Sequence, residues 1–424
     1  MSGPGWRPTA ALVRAVGLGG ALLLAAVLLR RVDLVVLAAP LLLGAVLGLA
    51  GRPYAAPALA IRIPADALLE GGRAELAATV TAADRIDVAV VELPLPAGLT
   101  PDSGAAVVRA VPVGPGVPVP VPLSVRATRW GRHPVGPAVL RATGAYGLLS
   151  WPPVRTEVAS VTTWPLRDGF GASDTVPRAE GLVGGHRSRL PGEGGELAGV
   201  RPFAVGDRLR RVNWRVTART GALHVTSTYS DRDTEVLLVL DSTQDLGRPP
   251  ENSLDTGVRA AAAVAEHYLR AGDRVALVDL ARPYRSVPAR NGRSHLVRLL
   301  DVLVDARALR SDTPGPTVTD VVAPAAADAL VVLLSPLATA SSLTAVAALA
   351  RSGRSVVAVD TLPDGLRPDP RGDWTELAFR LWRLRRDADL GRLAELGVPV
   401  VPWRGAGSLD AVLRDAGRAA RTAR

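Results

Sequence analysis

Cysteine is absent from all 424 residues, which excludes disulfides, thiolate nucleophiles and cysteine-ligated zinc. Lysine is absent too, every one of the 50 basic residues being arginine, so no G-x-x-x-x-G-K-[ST] phosphate loop can exist. The 5 histidines, at 133, 186, 224, 267 and 295, show no H-E-x-x-H or His-x-His spacing, and a zinc hydrolase has no ligand set. No G-x-S-x-G elbow occurs either. The chain therefore reads as non-enzymatic and without a resident cofactor. Aromatic residues make up only 4%, so cores must be built from Ala, Val and Leu, a composition suited to helices packed on aliphatic strands. The 50 arginines against 40 acids leave a formal charge of +10. Accompanied by 42 Gly, 35 Pro and abundant Ala, this bias reads as GC-rich coding rather than a surface shaped for nucleic acid, and no nucleic-acid partner is expected.

What the chain has in plenty is apolar sequence near its start. Two runs, from Ala10 to Leu29 and from Val32 to Ala50, are separated by Arg30 and Arg31. Each approaches the roughly 20 residues that cross a bilayer as a helix, and together they exceed one span or a signal-peptide core. Residues 1–53 are thus expected to be a transmembrane hairpin in the lipid bilayer of the cell membrane. The rest of the chain then lies on the side of Met1, and Arg7, Arg14 and Arg52 against Arg30, Arg31 and Asp33 lean toward the cytoplasm.

Residues 54–165 alternate apolar and polar positions in short runs such as AELAATVTA and VPVPVPLSVRA, the pattern of a small antiparallel β-sandwich. Prolines at 112, 115, 118, 120 and 122 belong on edges or in extended segments, because proline cannot donate to a central ladder. Residues 166–233 hold a Gly-rich polar stretch, read as a long surface loop to Val200, and then an arginine-dense segment. Residues 234–424 pass through EVLLVLD, a helix, DRVALVDL, ALVVLLSP, a helix, SVVAVDTL, VPVVPW and a final helix at Ser408–Arg421. Short continuous apolar strands alternating with helices predict an α/β, doubly wound parallel sheet covered on both faces.

The arginine-dense segment is the most informative. Arg201, Phe203, Gly206, Asp207, Arg211, Asn213, Trp214, Ala218 and Arg219 follow the spacing R-x-F-x-x-G-D-x-x-x-R-x-N-W-x-x-x-A-R. Physically, Gly206-Asp207 suits a tight turn and Trp214 an apolar anchor. The arginines have two readings. Either Arg201, Arg211 and Arg219 pair with Glu196, Asp207 or later carboxylates to fix the segment, or the cluster is a docking surface for an acidic partner. This spacing closely resembles the signature of the domain-of-unknown-function-58 family, as do the two spans, RWGRHPVGP at 129–137, YGLL at 146–149 and the α/β region. Thr143, Gly144 and Ala145 ahead of Tyr146 depart from the family's usual turn.

The resemblance implies a von Willebrand A-like α/β domain and a MoxR-type AAA+ ATPase as partner, in envelope or complex assembly. It also implies where a Mg²⁺ ion would sit: such domains end their first strand in Asp-x-Ser-x-Ser, and this one reads Asp241-Ser242-Thr243-Gln244-Asp245. Asp241, Thr243 and Asp245 are the candidate oxygen ligands of a degenerate site, with Ser335 after a later strand and Thr317, Thr319 and Asp320 as substitutes. Asp279 and Asp360 also end strands at the edge where open α/β sheets bind ligands. A metal-dependent adhesion or ligand-binding module is the alternative function.

Overall fold

The structure, a computed structural model, describes residues 5–63, 67–102, 108–166, 188–204, 209, 212–230, 235–281, 285–308, 322, 325–326, 329–351, 353–369, 372–405, 407–408 and 410. It divides into two compact units, Met1–Trp164 and Pro165–Arg424.

In the first unit, α1 (Ala10–Leu29) and α2 (Asp33–Ala50) form an antiparallel hairpin. Arg30 turns the chain in a left-handed conformation (φ 53°), and Arg31 pairs with Asp33 at 2.8 Å. Small residues make the helix contact close: a Cβ on Gly19 would lie 2.7 Å from Leu42 Cγ, and Ala26, Ala38 and Ala45 are buried. The other faces are bare. Val27, Leu28, Val36 and Leu47 are among the exposed side chains, and only 17% of each helix's most apolar window is buried. Both helices are long and apolar enough to span a membrane, with mean hydropathies of 2.3 and 2.2.

The remainder of this unit is built on two antiparallel sheets. One runs in the order Ala58–Arg62, Arg73–Thr81, Val119–Ala127, Leu99–Pro101, the other Arg7–Pro8, Leu149–Arg155, Val139–Gly144, Ile86–Glu92, Val108–Val113. Alternation along Arg73–Thr81 buries Ala74, Leu76, Ala78 and Val80, which share one apolar core with Val121, Leu123, Ala89, Val91 and Leu140. Trp151 closes that core, edge-on to Trp6 with ring centroids 5.6 Å apart. Leu68–Leu69, Ala159–Trp164 and Gly131–Val135 form a third, three-stranded sheet. The prolines lie where donors are dispensable. Pro112 is on the edge strand Val108–Val113. Pro120 and Pro122 pair with Thr79 and Ala77 on one side, while on the other, among the described residues, the flanking strand Leu99–Pro101 pairs with Val125–Ala127.

In the second unit, Ser188–Pro202 is a strand rather than the loop its glycines suggest. It pairs antiparallel with His224–Ser230, and the register slips between Ser188 and Pro191, Gly192 and Leu197, and Leu197 and Gly199. Glycine and proline interrupt the ladder without preventing it. The short helix α3 (Trp214–Thr220) precedes the return strand; Asn213 caps it by accepting from Val216 N–H at 3.2 Å, and Gly221 (φ 71°) ends it.

A six-stranded sheet follows: β1 (Glu235–Leu240), β2 (Arg274–Asp279), β3 (Arg285–Arg290), β4 (Leu330–Ser335), β5 (Val356–Asp360) and β6 (Val400–Pro402). The spatial order is β3-β2-β1-β4-β5-β6, all pairs parallel except β2 with β3. Helices cover both faces. On one, Leu237, Val239, Val331 and Leu333 share a core with Val346 and Leu349 of α6 (Ala340–Arg351) and Leu393 of α7 (Thr375–Glu395). On the other, α4 (Ser253–Arg270) packs on β1, β2 and β4, with α5 (Arg293–Leu303) beside it. Gly257 permits this approach, since a Cβ there would stand 3.1 Å from Leu240 Cδ1. The helix expected at Ser408–Arg421 lies almost wholly outside the described residues, with Ser408 and Asp410 helical.

Candidate functional site

The parallel strands β2, β4 and β5 end in Asp279, Ser335 and Asp360, and Asp241 directly follows β1 at the same edge of the sheet. Asp241, directly after β1, is buried there and its two oxygens face different partners. Oδ1 accepts from Thr243 Oγ1 at 2.5 Å and from Thr243 N–H at 3.3 Å. Oδ2 accepts from Ser335 Oγ at 2.6 Å and from Ser342 Oγ at 3.1 Å. One carboxylate thus collects three hydroxyls, each still carrying a lone pair. The β4–α6 loop makes this possible: fully buried Leu337 adopts φ 46°, its N–H donates to Ser335 Oγ at 3.1 Å, and Thr339 accepts from Ser342 N–H at 3.3 Å.

Beside this ring, the buried Asp279 accepts from Ser242 Oγ in a short hydrogen bond and from Ala281 N–H at 3.1 Å. Burial raises its pKa above the ordinary carboxylate value, while those two hydrogen bonds and the charge of Arg285 pull the other way and Asp241 adds a small upward push. At the end of β5, Asp360 pairs with Arg386 of α7 at 2.6 Å, and both are largely buried. The same guanidinium donates to the Pro336 carbonyl at 3.2 and 2.8 Å, tying α7 to the loop after β4.

Of the three candidate ligands, Asp241 and Thr243 come together. Asp245 is committed elsewhere, accepting from Asn252 Nδ2 at 2.8 Å and Leu254 N–H at 3.3 Å at the start of α4. Ser335 joins the ring from the last position of β4; Thr317, Thr319 and Asp320 lie outside the described residues. Ser342 and Arg386 went unread in the sequence. A hydroxyl-rich run, Thr339-Ala340-Ser341-Ser342, was the available signal for the first; the second is one of several arginines in RLWRLRR. Among the described residues, no three His, Cys, Asp or Glu side chains converge as a metal site, so any cation would depend on Asp241 and neutral hydroxyls.

The arginine-dense segment is placed in part. Phe203 is half-buried, its N–H donating to Leu223 O at 2.9 Å, and Arg201 donates to the Pro202 carbonyl at 3.1 Å. Asn213 caps α3 and also binds the return strand, its N–H donating to His224 O at 2.8 Å. Trp214 is not the expected anchor. It opens a seven-residue helix that buries no side chain, and it is 68% exposed; Arg219 on the same helix is exposed as well. Gly206, Asp207, Arg211 and the side chain of Glu196 lie outside the described residues.

Residues 199–364 match the model of the family described as Protein of unknown function DUF58. This stretch is a DUF58 region. It runs from the strand before α3 to just past β5, and so contains Trp214, the Asp241 ring, Asp279 and Asp360, but neither α7 nor β6. Among curated relatives, the uncharacterized proteins Rv1480 of Mycobacterium tuberculosis and Mb1516 of Mycobacterium bovis are each 38% identical over 117 residues, 27% of this chain. The aligned part spans 37% of the length of those relatives. Among solved structures, native alpha-2-macroglobulin of Escherichia coli, from domain MG7 to the C-terminus, aligns at a TM-score of 0.22 and 18% identity. That match covers 26% of this chain and 17% of the other, a likeness too slight to carry an argument.

Proposed function

We propose that the chain is a non-enzymatic, membrane-anchored scaffold that presents a von Willebrand A-like domain and works with a MoxR-type AAA+ ATPase in envelope or complex assembly. The observation that carries the reading is Trp214, 68% exposed within the DUF58 region on a helix that also bears exposed Arg215 and Arg219. Exposed tryptophan beside arginine is the composition of an interaction hot spot, and it serves no core here. Anchoring is supported by the bare apolar faces of α1 and α2, where a soluble core helix would be covered. The Arg31–Asp33 pair offsets charge in the hairpin turn, which favours the cytoplasm for Arg7, Arg14, Arg52 and the rest of the chain. The strand order, with one antiparallel edge, supports the domain assignment.

The test is affinity purification of the full chain from native membranes in mild detergent, with co-purifying chains identified by mass spectrometry. An AAA+ ATPase held by wild type and lost from folded Trp214→Ala, Arg201→Ala and Asp207→Ala chains supports the scaffold; equal recovery with all three sinks the docking surface.

The Asp241 ring favours a second reading, a metal-dependent ligand-binding module. Thr243, Ser335 and Ser342 would turn their lone pairs to Mg²⁺ beside Asp241, and the single negative charge leaves room for an acidic group from the ligand. A Mg²⁺-dependent rise in melting temperature that Asp241→Asn abolishes would support it, and indifference to Mg²⁺ would end it.

A further inference from the structure

The turn Ala145–Leu148 of the first unit is fastened to the ends of both apolar helices. Thr9, immediately before α1, donates its N–H to Leu148 O at 2.9 Å, and its hydroxyl donates to the Gly147 and Leu148 carbonyls at 2.9 and 3.0 Å. Gly48, two residues before the end of α2, lets the turn approach, since a Cβ there would stand 2.5 Å from Leu148 Cδ1. Leu148 and Trp6 pack on the buried Leu12, Ala45, Ala145 and Leu149. Tyr146 is 79% exposed, and it and Ala145 hold left-handed conformations (φ 57° and 54°), which residues with a Cβ keep only where the surroundings fix them.

We propose that this turn sits in the headgroup layer of the bilayer that α1 and α2 cross, with Tyr146 among phospholipid headgroups and the sheets of the first unit thereby held against the membrane. Helix length names the occupant. At 1.5 Å per residue, 20 and 18 residues extend roughly 30 and 27 Å, the thickness of the hydrocarbon core. Thr9 and Ala50 then stand at its boundary, and a turn bonded to Thr9 and touching Gly48 stands there with them. The polar groups of the turn are satisfied as that layer favours: Gly147 N–H donates to Asp87 Oδ2 at 3.3 Å, Leu148 N–H donates to Ala145 O at 3.1 Å, and Asp87 lies 3.8 Å from Arg85. Asp84 is likewise engaged, accepting from Tyr54 and Ala55 N–H at 2.6 and 2.7 Å. No anionic lipid is required. Of the chain's 5 tyrosines, Tyr146 and the 71% exposed Tyr54, four residues beyond α2, both fall at this level, where rings with one polar end are favoured. The inference rests on the membrane anchor proposed above.

The absence of cysteine makes the test direct. Full-length Tyr146→Cys and Val158→Cys chains are reconstituted into phosphatidylcholine vesicles and floated through high salt. Val158, 57% exposed, lies beyond the far end of the strand Leu149–Arg155, about 20 Å from the turn. Each thiol is offered a maleimide carried on the headgroup of phosphatidylethanolamine or a soluble sulfonated maleimide. The expected ratio of lipid-borne to soluble labelling is at least about tenfold higher at Tyr146→Cys, because only there is the lipid-borne reagent held at high effective concentration. A photo-crosslinking benzoylphenylalanine at position 146 keeps an aromatic ring in the turn and should attach to lipid. Equal labelling ratios at the two positions overturn the proposal and leave the anchor standing, whereas a chain that fails to float overturns both. Protection of Tyr146→Cys from both reagents, or crosslinks from position 146 to protein alone, assigns the turn to a protein contact and also overturns it.

Discussion

The sheet edge and the outer faces of α3 and α7 are both polar and arginine-bearing, yet they sit at opposite ends of one scale. At the edge every named charge or hydroxyl has an internal partner: Asp241 with three hydroxyls, Asp279 with Ser242, Asp360 with Arg386. On α3 and α7, Trp214, Leu377, Leu381 and Leu384 face solvent beside exposed arginines. Buried polar groups are costly unless paired, so the edge is tied to stability; exposed groups have little to lose on truncation and are free to serve binding.

The sharpest way to break this contrast is Arg386→Ala. It leaves Asp360 buried and unpaired and removes the two hydrogen bonds to the Pro336 carbonyl, and should cost about 3–5 kcal/mol. Hydrogen exchange of β4 and β5 amides in the full-length chain reads this directly, and unchanged protection would mean the pair contributes nothing. Asp241→Asn comes next. An amide nitrogen cannot accept from the hydroxyls that now meet one carboxylate oxygen, and a loss of about 1–3 kcal/mol is expected in the absence of added Mg²⁺. Urea unfolding followed on the same amides would show it.

Asp279 gives a smaller effect with a definite sign. Its folded pKa is raised, so the folded state holds its proton to higher pH than the unfolded chain does. Its contribution is therefore fully present below the ordinary carboxylate pKa and is lost as pH rises through the raised folded value. Asp279→Asn keeps an oxygen to accept from Ser242 and Ala281 without ionising, so its stability relative to wild type should climb across that mildly acidic window. Parallel pH profiles for the two chains would refute this. The smallest stability effect belongs to Trp214→Ala, within about 0.5 kcal/mol, although partner recovery should fall about tenfold or more if the side chain is a hot spot. A large loss of thermal stability would move Trp214 to the structural side of the contrast.

The sequence revealed the parallel strands because each is covered on both faces and so reads as an unbroken apolar run, EVLLVL and LVVLLS being the clearest. β3 escaped notice: RSVPAR is a half-exposed antiparallel edge strand with no such run. α7 was equally hard to read, since apolar residues on two opposite faces cancel the one-sided periodicity that marks a surface helix. At the candidate site, Asp241 and Thr243 were legible as neighbours in one motif. Ser342 lies 101 residues beyond Asp241, and Arg386 lies 50 beyond Pro336, so their meeting is a product of topology that local pattern does not encode. Trp214 was misread for a different reason. A large aromatic suggests a core, and nothing in the sequence says that its helix is too short to bury one face.

The prolines of the first unit have a consequence for how two such chains can meet edge to edge. Pairing continues from Val119 to Arg126 through Pro120 and Pro122, so the amide donors these residues lack belong to the opposite flank, where no described strand pairs with them. A foreign strand aligned there would find acceptors without their matching donors. Were α1 and α2 to hold the chain in a bilayer as proposed, at high local density, that missing pair of hydrogens would be a safeguard against edge-to-edge aggregation.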